Sequence, residues 1–471
     1  MILAFVRMGG ESRPWGVALG PPDQEPKIWT VGEARDRELV GGMLESVAPV
    51  LLAHMGHPDY ARARGEPALP HIWLPNASHV EMLHFLAFTY TYAKRGEPSR
   101  MRTLNALGRA ANWLFQESTR PGQMSCLDAS RALRDAFTFP AEDVRQAHTG
   151  YLLAWLETQG SLDARVHAAA GAEQHAVSTS LDPHIEKDGL DEDVEAFNAA
   201  KRDGNAAKMK TLASKIEKAL APELRHRFEV AARAYRRLHA DPRPVNPGVH
   251  ALEAAARDRY EAYLETERKA ARSEKVRFNS PETDGHSLMA ASNYVTFESA
   301  HGEYVNALVH DDEDMQEDLL LAGDGVRGKI VAIEFPSEGR LKRATWIVEE
   351  DVRRPLRLRD GAEVTQAGCP KRVAKLREID ERARGPRRFR LDIVKGVLDD
   401  AGPLGRNARD GKWKGQTVTF LSLPKPEFGV RRRMMLWDQQ GPGIWLTHRQ
   451  PWEDAAAAAG EDDLDVDAGA A

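Results

Sequence analysis

Cysteine is nearly absent: Cys126 and Cys369 are the only two in 471 residues. That number excludes a disulfide framework and a cysteine-rich zinc site. It fits a reducing cytoplasm, the compartment expected here. No run of 18 apolar residues occurs, so neither a transmembrane helix nor a membrane partner is expected. The first ten residues (MILAFVRMGG) have too short an apolar stretch for a secretory signal and no basic residue ahead of it, and they read as a first strand. The signatures H-E-x-x-H and G-x-S-x-G are missing, which removes the common metalloprotease and hydrolase readings. Residues 450–471 hold seven acids and no Lys or Arg, and the Ala-rich stretch 451–471 is expected to be disordered.

The charge that is present is unevenly distributed. The chain carries a formal net charge of −6, yet residues 321–449 contain 28 Lys and Arg against 17 Asp and Glu, a balance of +11. Tryptophans 346, 413, 437 and 445 lie in the same stretch. A basic, aromatic-bearing module inside an acidic protein points to a polyanion partner, here nucleic acid, DNA or RNA, bound without sequence preference. The residues proposed to carry that binding are Arg357, Arg359, Arg387, Arg388, Arg390, Lys412, Trp413, Lys414, Arg431, Arg432 and Arg433. They combine positive charge with a stackable aromatic.

Hydrophobic periodicity divides the chain into an α+β multidomain protein. Residues 1–118 read as a small α/β domain of order β-β-β-α-β-α. Its strands fall near Ile2–Val6, Trp15–Leu19, Ile28–Val31 and Pro70–Leu74, with a helix from Asp36 and one capped by Asn76 or Ser78. Residues 49–54, after Pro49, read equally as a kinked helix or a short buried strand. Residues 119–290 read as helical, with long antiparallel helices over 190–240 and 248–275. Between Lys201 and Arg237, 11 basic residues face four acidic ones, which marks a solvated helix face or a phosphate-tracking one. Residues 291–450 show period-two runs at Ile330–Ile333, Thr345–Val348, Leu356–Arg359, Arg388–Ile393 and Thr417–Phe420, the pattern of a small β-barrel. In Arg388–Ile393, alternation turns Phe389, Leu391 and Ile393 inward and both arginines outward. Residues 451–471 form the acidic tail.

Several motifs invite chemistry and fail on context. Gly323 to Lys329 matches G-x-x-x-x-G-K, but Ile330 stands where a hydroxyl should hold magnesium, and a helix-like run precedes where a strand should. It reads as a turn entering a strand. His79, Glu81 and His84 share a helix without the i,i+4 spacing that aims two imidazoles at one ion, and read as structural. The acidic run Asp311 to Asp318 reads as helix N-terminal solvation. An RNase H-like domain would need acids on its first strand to hold two metal ions, and Ile2–Val6 has none, so such a domain here is expected to be catalytically dead. No cofactor, metal site or catalytic residue is assigned.

The order of segments resembles the accessory region that precedes the motor in bacterial superfamily 1 nuclease–helicase fusions. Four stretches carry the resemblance: Leu69-Pro70-His71-Ile72-Trp73-Leu74 with its helix, Ala172-Glu173 through Leu181-Asp182-Pro183 as a helical segment, Arg327-Gly328-Lys329-Ile330-Val331 as the opening barrel strand, and Trp445-Leu446-Thr447-His448-Arg449 as the link to the motor. The resemblance implies a degenerate RNase H-like domain, a helical insertion and a β-barrel. The sequence lacks the ATPase motifs, so it implies an accessory protein that works with a separately encoded helicase or nuclease, as in anti-phage systems. Two alternatives stand beside it: a metal-dependent nuclease using Asp36, Glu38, Glu45 and Asp59, and a helical scaffold that binds a protein partner through residues 190–275.

Overall fold

The computed structural model describes residues 1–8, 12–61, 68–93, 97–140, 147–240, 246–272, 287–334, 344–381, 385–395 and 413–423. It is mixed α and β and divides into two units, residues 1–278 and 279–471. The segments read from sequence as separate α/β and helical domains therefore share one unit, and one continuous core runs from Ile2 to Leu264.

The first unit is built on a five-stranded sheet. β1 (Ile2–Val6), β2 (Gly16–Gly20) and β3 (Lys27–Thr30) form an antiparallel meander. β1 has no polar residue because it is buried along its whole length, as expected for a central strand covered on both faces. The chain continues through α1 (Arg37–His54), β4 (Ile72–Leu74), α2 (Ala77–Tyr90), α3 (Pro98–Ser118) and β5 (Cys126–Asp128). β4 and β5 run parallel to β1, giving the order β3-β2-β1-β4-β5. The β-β-β-α-β-α reading stops one strand short, because β5 has three residues and lies beyond position 118. α1 starts where Asp36 accepts hydrogen bonds from the Glu38 and Leu39 amides, and it continues through Pro49 to His54, so residues 49–54 are helix. Asn76 is the cap of α2, accepting from the Ser78 amide at 3.1 Å.

The remaining helices are α4 (Ala129–Ala136), α5 (Thr149–Glu157), α6 (Leu162–Glu173), the single turn α7 (Pro183–Ile185), α8 (Asp191–Arg202), α9 (Ala206–His239) and α10 (Pro247–Ala271). α9 lies across β1, β2 and β3 and buries Leu212, Ile216, Leu220, Leu224 and Phe228 in the common core. α10 docks instead through aromatic side chains. Tyr263 stacks on Trp113 of α3 at 5.0 Å, and the Tyr260 hydroxyl donates to the Met55 carbonyl at 2.9 Å. The two helices read as an antiparallel pair thus have different principal partners. The α10 contact is locked by Glu267, which is fully buried and accepts from His57 Nε2 at 3.1 Å and Arg109 Nη2 at 2.6 Å. Burial pushes the Glu267 carboxyl up, but the His57 and Arg109 hydrogen bonds outweigh it and hold the group below its usual range.

β4 meets β1 at Ile2, near the start of the strand, and the rest of that edge is completed by side chains and by residues 177–181. The Phe5 amide donates to His79 Nδ1 at 3.0 Å, the Arg7 amide to the Thr179 carbonyl at 2.7 Å, and the Leu181 amide to the Arg7 carbonyl at 2.9 Å. His79 Nε2 in turn donates to the Val177 carbonyl at 2.9 Å. The fully buried Arg227 of α9 donates to the Ser178 carbonyl at 2.6 Å and the Ser180 carbonyl at 2.9 Å. The stretch from Ala172 to Pro183, likened above to a helical segment, is the end of α6 followed by this extended strap. Its backbone groups are satisfied by other elements rather than by a helix of its own.

In the second unit, α11 (Ser287–Asp311) and α12 (Glu313–Ala322) precede a closed barrel. Its strands are β6 (Gly325–Glu334), β7 (Ala344–Glu350), β8 (Glu363–Gln366), β9 (Cys369–Asp380), β10 (Arg388–Lys395) and β11 (Thr417–Leu421), in the order β10-β7-β6-β11-β8-β9 with β9 closing on β10. Gly323, at φ 85°, ends α12 in a left-handed conformation that leads into β6. The G-x-x-x-x-G-K stretch is therefore a helix-to-strand turn. Leu356–Arg359 alternates as expected but is no strand: Leu356 and Leu358 pack on the barrel core, while the Arg357 amide donates to the Gly323 carbonyl at 2.8 Å instead of to a ladder. Among the described residues, no helix is long and apolar enough to cross a membrane.

Candidate nucleic-acid interface

The alternation in β10 puts Phe389, Leu391 and Ile393 inside the barrel with Val326, Ile330, Trp346, Val348 and Phe420. Arg388 and Arg390 face outward, and both meet carboxylates there. Arg388 lies directly opposite Glu349 in the ladder and bonds it at 2.7 Å. Arg390 bonds Glu334, with Glu378 at 3.8 Å on its other side. Arg377 lies 3.8 Å from Asp392 on the same face. This side of the barrel is a ladder of alternating charge, a stabilising cross-strand arrangement.

Arg387 faces inward. Its guanidinium is buried and grips Glu350 through two parallel bonds, Nε–Oε2 at 2.7 Å and Nη2–Oε1 at 2.6 Å. The hydrogen bonds that Arg387 donates to Glu350 raise its pKa against the opposing effect of burial. Burial pushes the Glu350 carboxyl up, but the bonds from Arg387 and from the Arg354 amide outweigh it and hold the carboxyl down. Arg387 therefore has a structural position and offers no free charge to a ligand. Arg327 and Arg354 are similarly engaged by Glu317 of α12, at 2.6 and 3.3 Å.

Of the other residues proposed from sequence, Arg357 is exposed and lies 3.5 Å from Asp324. Arg359 and Lys414 are exposed, with no ion-pair partner among the described residues. Trp413 is half-buried against Trp346. Lys412, Arg431, Arg432 and Arg433 lie outside the described residues. Four further cations of the barrel are exposed and unpaired among the described residues: Lys329, Lys371, Lys375 and Lys395. Sequence reasoning passed over Lys329, Lys375 and Lys395 because none lies next to another cation, and over Lys371 although Arg372 follows it. The informative signal was strand alternation, which turns Lys329 outward between the buried Gly328 and Ile330.

Within 321–449, the described positions hold 15 basic residues against 11 acidic ones, a surplus of +4, so most of the +11 falls on residues outside the description. Part of the free charge clusters at one place. Lys329 stands opposite Thr417 in the β6–β11 ladder. The turn before β11 is bonded to β6 by the Gly415 amide to the Ile330 carbonyl at 2.7 Å, and by the Ile330 amide to the Gln416 carbonyl at 3.0 Å. Lys414 is thereby held one residue from the strand that carries Lys329.

The first unit offers less. The surplus between Lys201 and Arg237 is largely engaged: Lys201 by Asp36, Lys215 by Asp193 at 3.3 Å, Arg233 by Glu157 and Arg236 by Glu229, with Arg227 buried. The acids of the nuclease alternative are dispersed. Asp36 caps α1, Glu38 and Glu45 both bond Arg100 from the outer side of α1, and Asp59 is exposed beyond the helix. No group of three potential metal ligands converges among the described residues. Asp128, at the end of β5, caps α4 by accepting from the Ser130 and Arg131 amides.

No protein family matches the chain, and neither does any curated protein or solved structure.

Proposed function

We propose that the protein is a non-catalytic nucleic-acid-binding accessory factor, and that the barrel carries the binding. The observation behind this reading is the contrast within the barrel surface. The side bearing Arg388 and Arg390 is neutralised by Glu349, Glu334 and Glu378, whereas Lys414 and Lys329, the latter across the ladder from the Glu349 that Arg388 engages, are exposed and in no ion pair among the described residues. Unpaired surface cations gain by releasing counterions from a phosphate backbone, while cations already in ion pairs gain much less. The antiparallel meander followed by parallel, helix-linked strands supports the RNase H-like reading of the first unit, and the dispersal of its acids supports a degenerate one. Cooperation with a separate helicase or nuclease, in the cytoplasm, rests on the resemblance described above. The scaffold alternative is weakened because the apolar faces of α9 and α10 are buried in their own unit's core.

Charge reversal tests this reading. Lys329→Glu combined with Lys414→Glu is expected to weaken binding of a labelled oligonucleotide uniformly across sequences. It should also lower the magnitude of the slope of log affinity against log salt by about 1.4 for a single strand, roughly 0.7 for each lost phosphate contact. Unchanged affinity and slope in fluorescence-anisotropy titrations would remove the barrel cluster from the interface.

A further inference from the structure

Trp413 is fixed in place from both its backbone and its ring. It opens a tight turn closed by the Gln416 amide donating to the Trp413 carbonyl at 3.1 Å, with Gly415 at φ 89° supplying the conformation that other residues resist. The Gly415 amide then anchors the turn to Ile330 of β6 at 2.7 Å. On the side-chain level, Trp413 lies tilted on the buried Trp346, with ring centres 5.7 Å apart and planes 31° apart. The Arg372 guanidinium sits 4.8 Å from the Trp413 ring centre and 5.4 Å from that of Trp346. The ring is thus fixed by Trp346 and Arg372 and is half-buried, and the next residue, Lys414, is exposed.

We infer that Trp413 is a stacking platform for an unpaired base, so that the barrel binds single-stranded nucleic acid in preference to duplex. This deepens the proposed function and rests on it. An indole already fixed by Trp346, Arg372 and the turn loses little further freedom when a base covers it, and stacking on such a ring contributes about 1–3 kcal/mol per base. Lys414 follows directly in sequence and Lys329 precedes the residue that anchors the turn, so both are placed for the flanking phosphates. A duplex hides the faces of its bases and can use only the lysines. Any base has a face to offer, so the platform adds affinity without choosing sequence.

The test compares three probes on the full-length protein: an oligothymidylate of about 16 nucleotides, a backbone of the same length and charge without bases, and the same thymidine strand paired in a duplex. The oligothymidylate is expected to bind about tenfold tighter than the abasic strand and tighter than the duplex. Trp413→Ala should abolish that difference, while Trp413→Phe, which keeps a ring, should retain most of it. The comparison between probes on the wild-type protein does not depend on how well the variants fold. Equal, salt-dependent binding of thymidine and abasic strands would overturn the stacking inference and leave the charge-based function standing. Failure of all three probes to bind would overturn both.

Discussion

Glu350→Ala is expected to destabilise the barrel by about 3–5 kcal/mol, the cost of leaving one member of a buried ion pair without the other. The Arg387 guanidinium would keep its position between β7 and β10 and lose both strong carboxylate bonds, leaving the Arg354 carbonyl and the more exposed Glu381, 3.6 Å away. Removing the charge along with its partner, as in Arg387→Met with Glu350→Met, should cost far less, since an apolar pair of similar volume often replaces a buried ion pair without loss. Hydrogen exchange of the β7 and β10 amides measures this directly. Each 1.4 kcal/mol is a factor of ten, so exchange should accelerate roughly a hundredfold or more in the single variant. Unchanged exchange would show that the pair contributes little to the barrel.

The second large effect is acid sensitivity of the first unit through His79. Burial lowers its pKa to about 3, opposed by the hydrogen bond to Val177 and reinforced by the charges of Arg227 and Arg7. The ring must be neutral, because Nδ1 accepts the Phe5 amide while Nε2 donates to Val177. The unfolded chain binds this proton near pH 6.5 and the folded chain near 3, so the folded state holds fewer protons between those values. The stabilising contribution is therefore complete above about pH 6.5 and falls by about 1.4 kcal/mol for each pH unit below it, until about pH 3. His54, His148 and His226 also have lowered pKa values caused first by burial. Comparison with His79→Gln isolates the one group. The variant should be less stable at pH 7, and its stability should decline less steeply with acid by about 1.4 kcal/mol per unit. Parallel curves from urea denaturation at pH 7 and pH 5 would contradict the assignment.

How much was legible in the sequence differs from element to element. The leading meander, α1 and α2 were readable because each has its own local period and, for α1 and α2, a capping residue at Asp36 and Asn76. β5 was hidden by its length of three residues. β9 was hidden because Arg372, Ala374 and Leu376 are its inward side chains, a set that does not read as an apolar face. The inward arginine makes sense only beside Trp346 and Trp413, a contact between three separated stretches. The same limit applied to the candidate interface. Clustering in sequence drew attention to Arg387, Arg388 and Arg390, but register across β7 and β10 decides that Glu349 and Glu350 take up two of those charges. Composition counts charges, whereas the fold determines which of them remain available.

That distinction also sets the decisive measurement. If unpaired barrel cations hold a phosphate backbone, the affinity of the intact protein for an oligothymidylate must fall with salt. Three to six contacts to a single strand correspond to a slope of about −2 to −4 in log affinity against log salt concentration. An anisotropy titration over a range of salt concentrations reads that slope directly. A slope in this range is the predicted result, and binding that ignores salt, or no binding at low salt, would contradict the account.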